Sequence, residues 1–77
     1  MVDKETAIEI ATKRLQLVYP HPQFLRASRS DSLEEFEGGD SGWRIWFHVE
    51  DSDFGDFERP VEVCDTTREA RLVKLLL

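Results

Sequence analysis

The sequence predicts an α+β domain: one N-terminal helix packed on one face of an antiparallel sheet of three or four strands, in the order α-β-β-β-(β). Three observations lead there. Trp43-Arg44-Ile45-Trp46-Phe47-His48-Val49 alternates with a period of two, which is the pattern of a half-buried strand. Ala7, Ile8, Ala11, Leu15 and Val18 recur at the spacing of one helix face. The segments between apolar runs are short and rich in turn formers, so consecutive strands pair as an antiparallel meander. The 77 residues make one domain, 1–77. A chain of that length buries only about 60–65% of the surface its unfolded form exposes, which leaves room for one helix on one sheet.

Residues 3–19 read as the helix. Asp3 is placed to cap it, Glu5 lies in the first turn where the helix dipole favours acid, and Glu9 to Lys13 is a favourable i, i+4 pair. Two alanines in the apolar stripe allow close approach to a sheet. Pro20-His21-Pro22 ends the helix, because Pro20 disfavours helical geometry at Tyr19. Residues 23–30 read as a first, solvated strand near an edge. Two registers are open there: Leu25 and Ala27 inward, or Phe24 inward. Residues 31–42 form an acidic, glycine-rich loop in which Leu33 and Phe36 extend the flanking strands or pin the loop down.

The central strand spans 43–49, with Trp43, Ile45, Phe47 and Val49 on its apolar side. Residues 50–59 read as a wide hairpin connection in which Phe54 and Phe57 are either anchors or exposed contacts. Pro60 opens a third strand, where a missing N–H matters least. In it Val61 and Val63 share one face, and Glu62 and Cys64 the other. Asp65–Glu69 is a turn. Residues 70–77 are ambiguous between a strand and a helical tail, with a strand favoured by Val73 and the preceding turn. Ile45, Phe47 and Val61 are expected to be inaccessible and to touch Ile8, Ala11 and Leu15.

The formal net charge is −6. Asp31, Glu34, Glu35, Glu37 and Asp40 form one acidic stretch; Glu50, Asp51, Asp53, Asp56 and Glu58 form another, with no Lys or Arg in either. This field disfavours nucleic acid and anionic membrane and suits a basic partner, although it also serves simple solubility. The single cysteine, Cys64, excludes an internal disulfide. The Met1–Thr6 segment lacks the pattern of a signal peptide, and no apolar run reaches membrane-spanning length. Together these features lead us to expect a protein of the reducing cytoplasm.

One helix covers one face of a sheet. The other face carries Arg44, Trp46, His48, Glu62 and Cys64, with Lys74 joining them if 70–77 is a strand, and is expected to meet solvent unless a partner covers it. Two readings are open for Trp46. A loop or tail folds over it, or Arg44 stacks on it; alternatively it is a binding hot spot, for which Trp and Arg are the favoured residues. Arg44, Trp46, His48 and Glu62 are therefore the candidate binding residues. A symmetric homodimer through this face, with Glu62 offsetting Arg44 across the two-fold axis, is the simplest form of contact.

Two groups of proteins resemble this chain. Thr6-Ala7-Ile8-Glu9-Ile10-Ala11, the Trp43–Val49 strand and Val61-Glu62-Val63-Cys64-Asp65-Thr66-Thr67 resemble the PepSY domain. That likeness implies a module controlling a peptidase. The early helix, the strand with Trp46-Phe47 and the Pro60-Val61 strand also resemble small cytoplasmic bacterial immunity-type proteins. That likeness implies inhibition of a partner protein.

No motif specifies a reaction. Asp51-x-Asp53-x-Gly55-Asp56 differs from a calcium loop in the place of its glycine and of its terminal Glu. His21, His48 and Cys64 are too few and too scattered for a structural zinc site. Cys64 and His48 on one face form the one nucleophile–base pair to consider, but no orienting group or oxyanion turn accompanies them. The expectation is a non-catalytic protein-binding module without cofactor or metal.

Overall fold

In the computed structural model, which describes residues 1–74, helix α1 (Lys4–Leu15) starts where the Asp3 carboxylate accepts the Thr6 N–H at 2.7 Å. Hydrogen bonding from Thr6 holds the Asp3 carboxyl below the ordinary carboxylate range. The helix is shorter than the expected 3–19. Its hydrogen bonding tightens after Leu15: the Leu17 N–H bonds the Arg14 carbonyl at 3.3 Å and the Val18 N–H bonds that of Leu15 at 2.9 Å. This tighter turn leaves Leu17 and Val18 exposed, although Val18 continues the apolar spacing, and sends Tyr19 into the core.

Four strands follow: β1 (Gln23–Ser30), β2 (Gly42–Asp51), β3 (Gly55–Cys64) and β4 (Ala70–Leu72). They form one antiparallel sheet in the order β1-β2-β3-β4, so the α+β meander read from the sequence is the fold. Trp43 lies opposite Val63, Ile45 opposite Val61 and Phe47 opposite Arg59. Ile45, Phe47, Val49, Val61 and Val63 are fully buried against Ala7, Ala11 and Leu15, with Ile8 packed at the margin. Ala7 and Ala11 let the helix backbone approach the sheet, as their small side chains require.

The region read as a wide connection at 50–59 is mostly strand. β2 and β3 stay paired out to Asp51 and Gly55. The turn is tight because the Asp51 carboxylate accepts the Asp53 and Phe54 N–H groups at 2.7 and 3.1 Å, and Gly55 takes a φ of 76° that a side chain would resist. Pro60 consequently lies within β3 rather than at its start. Its carbonyl accepts the Val73 N–H at 3.1 Å, so its missing N–H faces the β4 side and costs the β2–β3 ladder nothing. Phe57 is an anchor, edge-on to Tyr19 with ring centres 6.0 Å apart, whereas Phe54 stands exposed at the hairpin tip. β4 confirms the start of the expected last strand; residues 75–77 of that expectation lie outside the described residues.

β1 settles its register with a bulge between Phe24 and Arg26. Phe24 lies opposite Phe47 and meets it edge-on at 6.4 Å, Ala27 packs toward the core, and Leu25 is left exposed.

Candidate functional site

The outer face of the sheet, opposite α1, divides into a covered end and an open end. At the covered end, residues 31–41 fold back across the strands. Leu33 and Phe36 pack on Cys64, and all three are buried. Glu62 holds this loop in place. Its side chain is 0% exposed and accepts the Glu34 and Glu35 N–H groups at 3.1 and 2.7 Å, while Arg44 donates to it through Nε at 3.2 Å and a terminal nitrogen at 2.8 Å. Arg71 donates to the Glu35 carbonyl at 2.8 Å and lies over the Phe36 ring. Gly42 is necessary here, because a Cβ would run into the Val63 carbonyl oxygen and the Leu33 side chain.

This arrangement corrects the expectation that the outer face meets solvent throughout. Glu62 is an internal clasp, and it offsets Arg44 within its own chain rather than across a two-fold axis. The sequence carried one cue: two large apolar residues three apart, Leu33 and Phe36, in an otherwise acidic loop.

At the open end lie Trp46 and His48. Trp46 is half-buried opposite Pro60, and the residue stacked on it is Arg26, not Arg44, with its guanidinium 4.6 Å from the ring centre. Arg26 then reaches across β2 to Glu58 on β3, donating at 2.8 Å. The Trp46 ring is thus capped by an exposed ion pair, an interaction worth about 0–1 kcal/mol and easily exchanged. His48 Nε2 lies 3.5 Å from the Asp56 carboxylate. Arg44, Trp46 and His48 share this face as expected, but Glu62 belongs to the covered end; Arg26, Glu58 and Asp56 are the neighbours that sequence reasoning missed. They arrive through strand register and give no local signal.

Cys64 and His48 do not assemble. Cys64 is buried opposite Gly42, and the run of β2 from Gly42 to His48 separates the two by about 20 Å. Among the described residues, no group of three or more His, Cys, Asp or Glu is placed to hold a metal ion, and no helix is long and apolar enough to cross a membrane.

A second knot of charge lies on the helix side of the sheet. Asp65 takes two hydrogen bonds from Arg29 at 3.0 and 2.7 Å, one from the Val2 N–H at 3.2 Å and one from the Ser41 hydroxyl at 3.3 Å. The Arg29 bonds first, then Val2 and Ser41, hold its carboxyl at about 2, and Arg29 is raised in turn. This knot ties the N-terminus, β1 and the Ser41 turn together, with Arg29 stacked over Trp43. It is structural in character and leaves the open end of the outer face as the candidate site. No family model, curated protein or solved structure matches the chain.

Proposed function

We propose that this chain is a non-catalytic protein-binding module of the cytoplasm that engages a basic partner through the open end of its outer face. The observation that carries the reading is Trp46: a half-buried indole under an exchangeable ion pair, on the part of the sheet that neither α1 nor the clasped loop covers. Trp in such a setting is the kind of residue that dominates binding energy. Glu50, Asp56 and Glu58 lie on the same side of the hairpin, and Phe54 is 73% exposed at its tip. An aromatic anchor bordered by carboxylates complements a surface rich in Lys and Arg. The free, buried thiol suits a reducing compartment. The resemblance to immunity-type proteins agrees with an inhibitory role of this kind.

The test compares wild type and Trp46→Ala as immobilised baits in a cell extract. Trp46→Ala is expected to keep its circular dichroism spectrum and to lose a basic protein that wild type retains, with wild-type association slowing as salt rises. Retention of the same proteins by both baits would refute the reading.

A further inference from the structure

We infer that β1 is a strand-pairing edge whose occupant is β1 of a second copy of this chain, joined around a two-fold axis at Ser28. The strand is 8 residues long, against 3 for β4 at the opposite edge of the sheet. Among the described residues, Gln23–Ser30 makes no backbone–backbone bond except those to β2. A long unpaired edge is a template for another strand, and proteins ordinarily blunt it with Lys, Pro or an unpaired charge. β1 has no Lys or Pro, and both of its arginines are turned back onto their own chain, Arg26 to Glu58 and Arg29 to Asp65. The bulge between Phe24 and Arg26 interrupts the edge at one end only, so Arg26–Ser30 remains regular.

Charge selects a second copy as the occupant. The chain is acidic, and two copies repel unless they meet away from their acid. Residues 10–30 contain no Asp or Glu. The acidic loop is drawn toward the far edge, with Glu35 bonded to Arg71 and to the Lys74 N–H. The acidic hairpin belongs to β2 and β3. β1 is the side of the molecule where two copies approach with least repulsion.

The register follows from the regular stretch. A two-fold axis perpendicular to the sheet pairs residues whose numbers sum to an even value, and the midpoint of Arg26–Ser30 is Ser28. Arg26 then faces Ser30 of the second copy, Ala27 faces Arg29, and Ser28 faces itself, so no like charges lie directly opposite. Both helices fall on the same side of a continuous sheet. Isologous β1–β1 pairing closes, whereas β1 on β4 would propagate without end.

Sedimentation of the full chain over a concentration series tests this. Wild type is expected to dimerise reversibly, and Ser28→Lys, which sets two ammonium groups face to face at the axis, to raise the dissociation constant about tenfold or more with unchanged circular dichroism. Trp46→Ala is expected to leave the dimer intact, which separates this contact from the outer-face site. Ser28→Cys should cross-link under mild oxidation, because facing Cα atoms of paired strands lie within disulfide reach. Leu17→Cys, on another exposed position, should not. A wild type that stays monomeric at every concentration, a dimer indifferent to Ser28→Lys, or a dimer lost on Trp46→Ala each overturns the inference.

Discussion

Removing the Glu62 carboxylate should release the loop over Cys64 rather than merely weaken the domain. In Glu62→Ala, two backbone N–H groups that now donate at 3.1 and 2.7 Å lose their acceptor. Arg44, whose side chain is only 27% exposed, keeps just the Glu34 carboxylate at 3.5 Å. Breaking a buried pair from one side costs about 3–5 kcal/mol, a large share of the roughly 4–12 kcal/mol expected for the whole domain. The protein has a less costly response: the loop lifts off, water satisfies the stranded groups, and only the burial of Leu33 and Phe36 is lost. The lifted state should therefore gain about 3–5 kcal/mol relative to the closed one, a factor of about 10²–10⁴ in its population. Cys64 reports it directly, since the loop is what covers the thiol. The rate of reaction with a disulfide reagent under native conditions should rise by that factor, with the far-ultraviolet spectrum unchanged. Glu62→Gln, which keeps the shape and one acceptor oxygen but sets an amide N–H₂ toward Arg44, should fall between. A folded Glu62→Ala whose Cys64 reacts at the wild-type rate would show that Leu33 and Phe36 hold the loop unaided.

Three further outcomes follow from the same contacts. Phe47→Ala removes a fully buried ring at the centre of the helix–sheet core and should lower the stability measured by urea unfolding by about 3–5 kcal/mol, with a matching fall in midpoint. Asp65 is held at about 2, below its ordinary 3.8, so its contribution is complete above about pH 4 and disappears as pH falls toward 2. Allowing for solvent at its rim, that amounts to about 1–2 kcal/mol, and Asp65→Asn should flatten the acid limb of stability against pH over that window. Gly42→Ala should be more damaging than its single methyl suggests, because the clash is with the backbone of β3; thermal unfolding well below the wild-type midpoint, or no folded protein, is expected.

The helix-facing half of this fold was legible because burial imposes a period. Ile45, Phe47 and Val61 announce their face through alternation, and Ala7, Ala11 and Leu15 through helical spacing; all are fully buried where expected. The ends of elements were less legible. Tyr19 continues the helical pattern, yet its ring finds its place beside Phe57 only after the chain leaves the helix. Asp51 and Gly55 can close a hairpin tightly, but a run of acidic residues reads equally well as a wide loop. The outer face was the least legible. Whether Glu62 meets solvent depends on the Glu34 and Glu35 N–H groups, brought to it by a loop that is remote in sequence. Whether Arg26 or Arg44 stacks on Trp46 depends on the bulge between Phe24 and Arg26, which sets the β1 register. Neither relation leaves a periodic trace.

The same contacts explain how the proposed binding would be separable from stability in so small a domain. Most of the arginines are committed internally: Arg26 to Glu58, Arg29 to Asp65, Arg44 to Glu62 and Arg71 to Glu69. The two that fix architecture, on Asp65 and Glu62, are the shielded ones, where loss of either partner strands hydrogen-bonding groups. The pair over Trp46 is exposed on both sides, its members about half accessible, so exchanging it for a partner's charges sacrifices little. Glu50, Asp51, Asp53 and Asp56 lie toward the hairpin beyond Trp46, and Asp31, Glu37 and Asp40 lie along the loop. On the proposed reading, a basic partner would displace the Arg26–Glu58 pair from Trp46 and leave the helix–sheet core and the Glu62 clasp undisturbed. On that reading, substitutions at Trp46, Arg26 and Glu58 are expected to act on recognition, and substitutions at Phe47, Gly42, Glu62 and Asp65 on the fold.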